Sequence, residues 1–126
     1  MMLSNAQVQP KNSFTEAEIY TLALEIFQQE HIELFTNSSS RRKGLITRFL
    51  NEQYSVAYEP GYKGKNITQL SSLPLNNKHN INLLPDYTYN PESFNPLKYK
   101  FPLNSQSEEL YRIGSTDYII TIHRLN

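Results

Sequence analysis

SFTEAEIYTLALEIFQQEHIELF, residues Ser13–Phe35, is the stretch on which the reading of this chain turns. Ile19, Leu22, Ala23, Ile26 and Phe27 recur at three- and four-residue spacing, Leu34 continues the stripe, and Tyr20, Glu25, Gln28 and Gln29 fall elsewhere. That period places the apolar set on one face of a helix. Ser13 followed by Glu16 has the form of a capping box, in which the hydroxyl and the carboxylate each satisfy a free backbone amide. Glu16 and Glu18 put negative charge on the first turn, where the helix dipole favours it. The spacing predicts a helix over about 14–35, roughly 30 Å long. His31, near its end, reads as a solvated or capping side chain.

A polar seam follows, Thr36 to Gly44. Asn37, Ser38, Ser39 or Ser40 can cap a second helix. Leu45, Ile46, Phe49 and Leu50 give that helix its apolar stripe, predicted over about 40–53. Its first turn carries Arg41, Arg42 and Lys43, the wrong sign for a helix N-terminus. Compensation is expected from an acidic neighbour such as Glu30 or Glu33, or from an outside anion.

Tyr54–Tyr58 alternates large and small residues and reads as a first strand, closed by a turn at Pro60-Gly61. Gly61-Tyr62-Lys63-Gly64-Lys65-Asn66-Ile67 is similar to the Gly-x-x-Gly loop with which KH domains clamp a nucleic-acid backbone. The likeness implies phosphate contacts from Lys63 and Lys65. It covers seven residues, and Glu59-Pro60 stand where a KH loop is entered from a helix. The spacing does not fit a Walker-type phosphate loop.

Residues 60–96 are interrupted by Pro60, Pro74, Pro85, Pro91 and Pro96. One helical turn around Ile67–Ser72 and a short strand at Ile81–Leu84 are the only regular pieces expected there. Long irregular connections within a domain are either functional or partly disordered, and Tyr, Asn and Pro make adaptable contact loops. Tyr87, Tyr89 and Phe94 are therefore the candidate partner-binding residues. Leu97–Phe101 reads as a half-buried strand with Lys98 and Lys100 on its wet face. Residues 109–125 read as a hairpin turning at Gly114-Ser115. That turn pairs Ile113 with Thr116, Arg112 with Asp117, and Tyr111 with Tyr118. One face then carries Tyr111, Ile113, Tyr118, Ile120 and Ile122, and the other Leu110, Ile119, Thr121 and His123.

These elements make an α+β fold: a helical pair packed on an antiparallel sheet of three to five strands. A loose leader is expected over 1–12 and a single domain over 13–126, the size of one ordinary domain. Twelve basic and twelve acidic residues balance to a net charge of zero, which argues against a surface wholly given to nucleic acid. The absence of cysteine removes disulfides, thiolate zinc sites and thiol catalysis. No apolar run, Tyr118-Ile119-Ile120 included, exceeds three residues, far too short to span a bilayer, and Met1–Pro10 lacks the form of a secretory signal. A cytoplasmic protein is expected. Thirteen asparagines and twelve serines fit long loops.

His31, His79 and His123 lie on different elements without metal-ligand spacing, and the acids show no paired spacing, so no metal, cofactor or catalytic residue is assigned. The expectation is a non-catalytic interaction or assembly protein of a bacterial or phage system, bound to another protein. The alternative is nucleic-acid binding through Arg41, Arg42 and Lys43, joined by Lys63 and Lys65 if all five converge on one face.

Overall fold

The computed structural model describes residues 8–37, 39, 41–64, 67–102 and 107–125. Helices α1 (Glu16–His31), α2 (Glu33–Thr36) and α3 (Arg42–Arg48) come first, and α3 runs on through a π-turn at Phe49–Gln53. Strands β1 (Tyr54–Tyr58), β2 (Ile67–Gln69), β3 (Glu109–Arg112) and β4 (Tyr118–Ile122) form one sheet in the order β1-β4-β3-β2. The α+β expectation holds. The sheet is mixed, however: β1–β4 and β4–β3 are antiparallel, whereas β2 runs parallel to β3. Parallel neighbours need a long crossover, and the chain between Gln69 and Glu109 supplies it.

Helix α1 starts two residues later than the cap reading placed it. Thr15 is the N-cap: its hydroxyl accepts from the Glu18 amide at 3.2 Å, and Glu18 accepts from the Thr15 amide at 2.8 Å. The sequence contains the capping box in two overlapping registers. The later one also sets Phe14 just before the cap and Ile19 four positions into the helix, the spacing of a hydrophobic staple. Phe14 packs at the core margin, with its ring 6.2 Å from that of Tyr54. The helix is also not continuous to Phe35. Gln28 has φ 61° and ψ 166°, which kinks the final turns. Its side chain donates to the Glu25 carbonyl at 2.9 Å, and Asn80 donates to the same oxygen at 2.8 Å.

The apolar face of α1 (Ile19, Ala23 and Ile26) meets Tyr54, Val56, Tyr111, Ile120 and Ile122 of the sheet in one buried cluster with Phe35, Phe49 and Leu50. The β3–β4 hairpin is shifted by two residues from the predicted register: Tyr111 faces Ile120 and Arg112 faces Ile119. Ile113 bonds to Tyr118, so the loop holds four residues, Gly114–Asp117. A shift of two preserves the face of every side chain, and the core assignment of Tyr111, Ile113, Ile120 and Ile122 survives it. Arg112 and Asp117 still approach, at 3.9 Å.

The middle of the chain departs further from its reading. Ile67–Ser72 divides into strand β2 and a 3-10 turn at Leu70–Ser72. Ile81–Leu84 is not a strand. Leu97–Phe101 is a 3-10 turn at Pro96–Lys98 followed by a single bridge from Tyr99 to Leu75. Lys98 is buried rather than wet-facing, and its Nζ lies 2.7 Å from the Asp86 carboxylate. Asn95 caps the 3-10 turn by accepting from the Leu97 amide, and donates to the Leu22 carbonyl and Glu25 carboxylate of α1. A side chain that latches the turn to a helix fixes a buried conformation which alternation alone does not reveal.

Candidate functional site

The kinked end of α1, α2, α3 and the segments 76–79 and 97–101 enclose a cleft of about 770 Å³. Ile26, Phe27, Leu45, Ile46, Phe49 and Phe101 contribute its apolar walls. Arg42, Lys78, His79 and Lys100 line it as well, and no carboxylate does so among the described residues. The volume lies within the usual range for ligand pockets, which pair apolar walls with a few placed polar groups. Leu34 and Leu45, both in its lining, are exposed, Leu45 at 59 %.

The cationic side is built by local packing. The Arg42 guanidinium sits over the Phe27 ring, 5.6 Å from its centre, an arrangement that orients the planar group. The rings of His31 and His79 lie 4.3 Å apart, and His79 lies 6.0 Å from Phe27. Loss of hydration, followed by the charges of His31, Lys78 and Arg42, holds His79 below the ordinary histidine range.

The basic seam is divided by this arrangement. Arg42 lines the cleft, while Lys43 lines a separate open hollow with Asn37, Arg48 and Glu52. Arg41 is the exposed N-cap of α3. Lys63 is exposed in the turn after β1, and Lys65 lies outside the described residues. The Gly-x-x-Gly pair has conformational reasons of its own: Gly61 takes φ 73°, and the Tyr62 ring occupies the place where a Gly64 side chain would go.

Of the three candidate partner-binding residues, Tyr87 is 60 % exposed. Tyr89 and Phe94 are core residues. Tyr89 packs at a tilt against Phe94 and Tyr118, and Phe94 stacks on Tyr99. The long loop does expose apolar side chains, but they are Ile81, Leu84 and Tyr87. Ile81 and Leu84 follow the cleft residues Lys78 and His79 along the chain. Nothing local marks them, because their exposure depends on which neighbours the proline turns bury.

A second polar array lies on the sheet face opposite the helices. Ser55 Oγ is 2.9 Å from His123 Nε2, and His123 Nδ1 is 2.7 Å from Glu108 Oε2. The three residues stand 15 to 68 positions apart in the chain, so only the sheet brings them together.

Comparison with protein-family models, curated proteins and solved structures finds no match to this chain. What fold and surface define together is a small α+β domain with an apolar cleft edged by cations.

Proposed function

We propose that this is an interaction protein whose cleft receives an acidic segment of a partner protein, with apolar side chains of that segment entering between α1, α3 and residues 97–101. The observation that carries this reading is the pairing of apolar walls with lining charges of one sign, Arg42, Lys78 and Lys100. The chain as a whole is neutral, so the local excess of cations is a feature of this site. Complementary charge steers encounter and rejects partners of the wrong sign, and apolar burial supplies the affinity. The exposed Leu34 and Leu45 leave part of the apolar lining open to solvent, which suits a chain segment better than an enclosed small molecule. The division of the basic seam favours this reading over nucleic-acid binding, which needs the cations on one track.

The test is fluorescence anisotropy with labelled peptides that alternate Glu with Leu or Phe, beside peptides carrying Lys in place of Glu. The acidic series is expected to bind, to weaken with salt, and to lose affinity about tenfold or more in Arg42→Glu/Lys78→Glu and in Leu45→Asp. Equal binding of both series, or indifference to these substitutions, would overturn the reading. Binding of mixed DNA or RNA that depends on Arg41 and Lys63 would favour the nucleic-acid alternative.

A further inference from the structure

On the face away from the cleft, we propose that Ser55 is an activated nucleophile that accepts acyl groups from activated esters, with His123 as its general base and Glu108 as the residue that positions the base. The assignment rests on connectivity as well as distance. A carboxylate at neutral pH only accepts hydrogen bonds. Glu108, 2.7 Å from Nδ1 of His123, therefore holds the ring proton on that nitrogen. In the neutral imidazole Nε2 is then left as an acceptor, and it points at the Ser55 hydroxyl 2.9 Å away. Serine, imidazole and carboxylate joined in this order through these two nitrogens form the array by which a hydroxyl loses its proton as it attacks, and such arrays are recognised by geometry and role.

The backbone holds the array in place. Ser55 on β1 pairs with Thr121 on β4, and His123 lies two residues beyond Thr121 on the same face. Gln53 grips His123 from both sides: its carbonyl accepts from the His123 amide at 2.7 Å, and its side-chain amide donates to the His123 carbonyl at 3.3 Å. Ser55 and His123 are both half-buried, so neither is sealed in the core. Ala57, two residues along β1, and Leu110, opposite Thr121 on β3, offer a short acyl group an apolar surface. No oxyanion donor is assigned among the described residues. The acyl donors that fit are therefore small aryl esters or thioesters, whose leaving groups need little assistance.

In the reaction Ser55 Oγ bonds to the ester carbonyl carbon and its proton passes to His123 Nε2. The bond from that carbon to the leaving oxygen or sulfur breaks, and the leaving group takes the proton from Nε2. Water then attacks the acyl-serine, gives a proton to Nε2, and releases the acid as the proton returns to Oγ.

The test treats the intact protein with a fluorophosphonate probe and, separately, with p-nitrophenyl acetate, and locates adducts by peptide mass spectrometry. Ser55 is expected to carry the adduct, and Ser55→Ala to remove it. His123→Ala is expected to slow labelling by about 10² or more, the usual contribution of a general base. Glu108→Ala, which removes the acceptor for Nδ1–H, is expected to slow it and to move the His123 proton toward Nε2 in long-range ¹H–¹⁵N NMR, a readout that loss of packing alone would not move. Absence of a Ser55 adduct, a labelling rate unchanged in His123→Ala, or an unchanged tautomer in Glu108→Ala would overturn the proposal. Arg42→Glu/Lys78→Glu is expected to leave Ser55 labelling intact, and Ser55→Ala to leave peptide binding intact, so the two readings stand or fall separately.

Discussion

Gly114 opens the β3–β4 loop at φ 56°, and a side chain there would collide with the Tyr87 carbonyl. Glycine is needed twice over, for backbone conformation and for space. Gly114→Ala is expected to lower stability by about 2–4 kcal/mol, with the strain of a positive φ added to displacement of the loop that bears Tyr87. Urea unfolding of the two proteins would show it. Gly114 lies in the turn as its sequence predicts, but the loop is longer, because Gly-Ser between two apolar runs also satisfies a two-residue turn. His79 illustrates a residue whose character is set by its neighbours. Its depressed proton affinity means that the folded chain takes up the proton less readily than the unfolded one. Its stabilising contribution is therefore complete above the ordinary histidine value of about 6.5 and is lost as pH falls toward the folded value. Thermal midpoints measured from pH 7.5 to 5 are expected to fall on acidification, and to fall less in His79→Phe, which keeps a ring against Phe27 and His31.

The segment 95–101 shows how a period-2 pattern can mislead. Leu97, Tyr99 and Phe101 alternate with lysines as a half-buried strand would, yet Pro96 and the Asn95 cap bend the start into a 3-10 turn. Lys98 then points inward, where Asp86, twelve residues upstream, receives it. Asp86 also accepts from the Tyr99 hydroxyl at 2.6 Å, and its amide donates to the same oxygen at 2.7 Å. Burial, followed by the adjacent Asp86, pushes the Tyr99 hydroxyl well above the usual tyrosine range, so it stays protonated as the donor. Removing one partner of such a pair costs more than removing both, because a buried charge is left without compensation. Asp86→Ala is expected to lose about 3 kcal/mol. Lys98→Met is expected to lose less, since Asp86 keeps the Tyr99 bond and is itself a quarter exposed. Asp86→Asn/Lys98→Met is expected to recover part of the loss from Asp86→Ala. Denaturant midpoints of the four proteins give the ordering.

What was legible in this chain was what local periodicity encodes. The stripe from Ile19 to Phe27, the second helix ending at Gln53, the strand at Tyr54–Tyr58 and the faces of the hairpin all follow from spacing, and the sheet keeps them. The kink at Gln28, the parallel edge strand, the division of Arg42 from Lys43 and the meeting of Ser55 with His123 depend on distant chain segments, which no window of sequence contains. The asparagines belong to this second kind. Asn76, Asn80 and Asn95 tie the long loop to itself and to α1 through backbone carbonyls, so a composition that suggests loops serves here to fasten them. Asn12 does the same for the sheet. It donates to the Val56 carbonyl at 3.0 Å and accepts from the Val56 amide at 2.7 Å, and so completes the outer side of edge strand β1 as a neighbouring strand would. Lys11 donates its amide to the Tyr89 hydroxyl, and Val8 both donates to and accepts from the Tyr118 hydroxyl. Residues 8–12 thereby cover a strand edge that would otherwise template pairing with another chain. Asn12→Ala is expected to lose about 1–3 kcal/mol, since it leaves two backbone groups of Val56 without their partner. A chain starting at Ser13 is expected to lose more than Asn12→Ala and to self-associate at high concentration. Sedimentation of the shortened chain measures the association, and urea unfolding at low concentration separates it from the loss of stability. A shortened chain as stable and as monomeric as the full one would show that β1 needs no such cover.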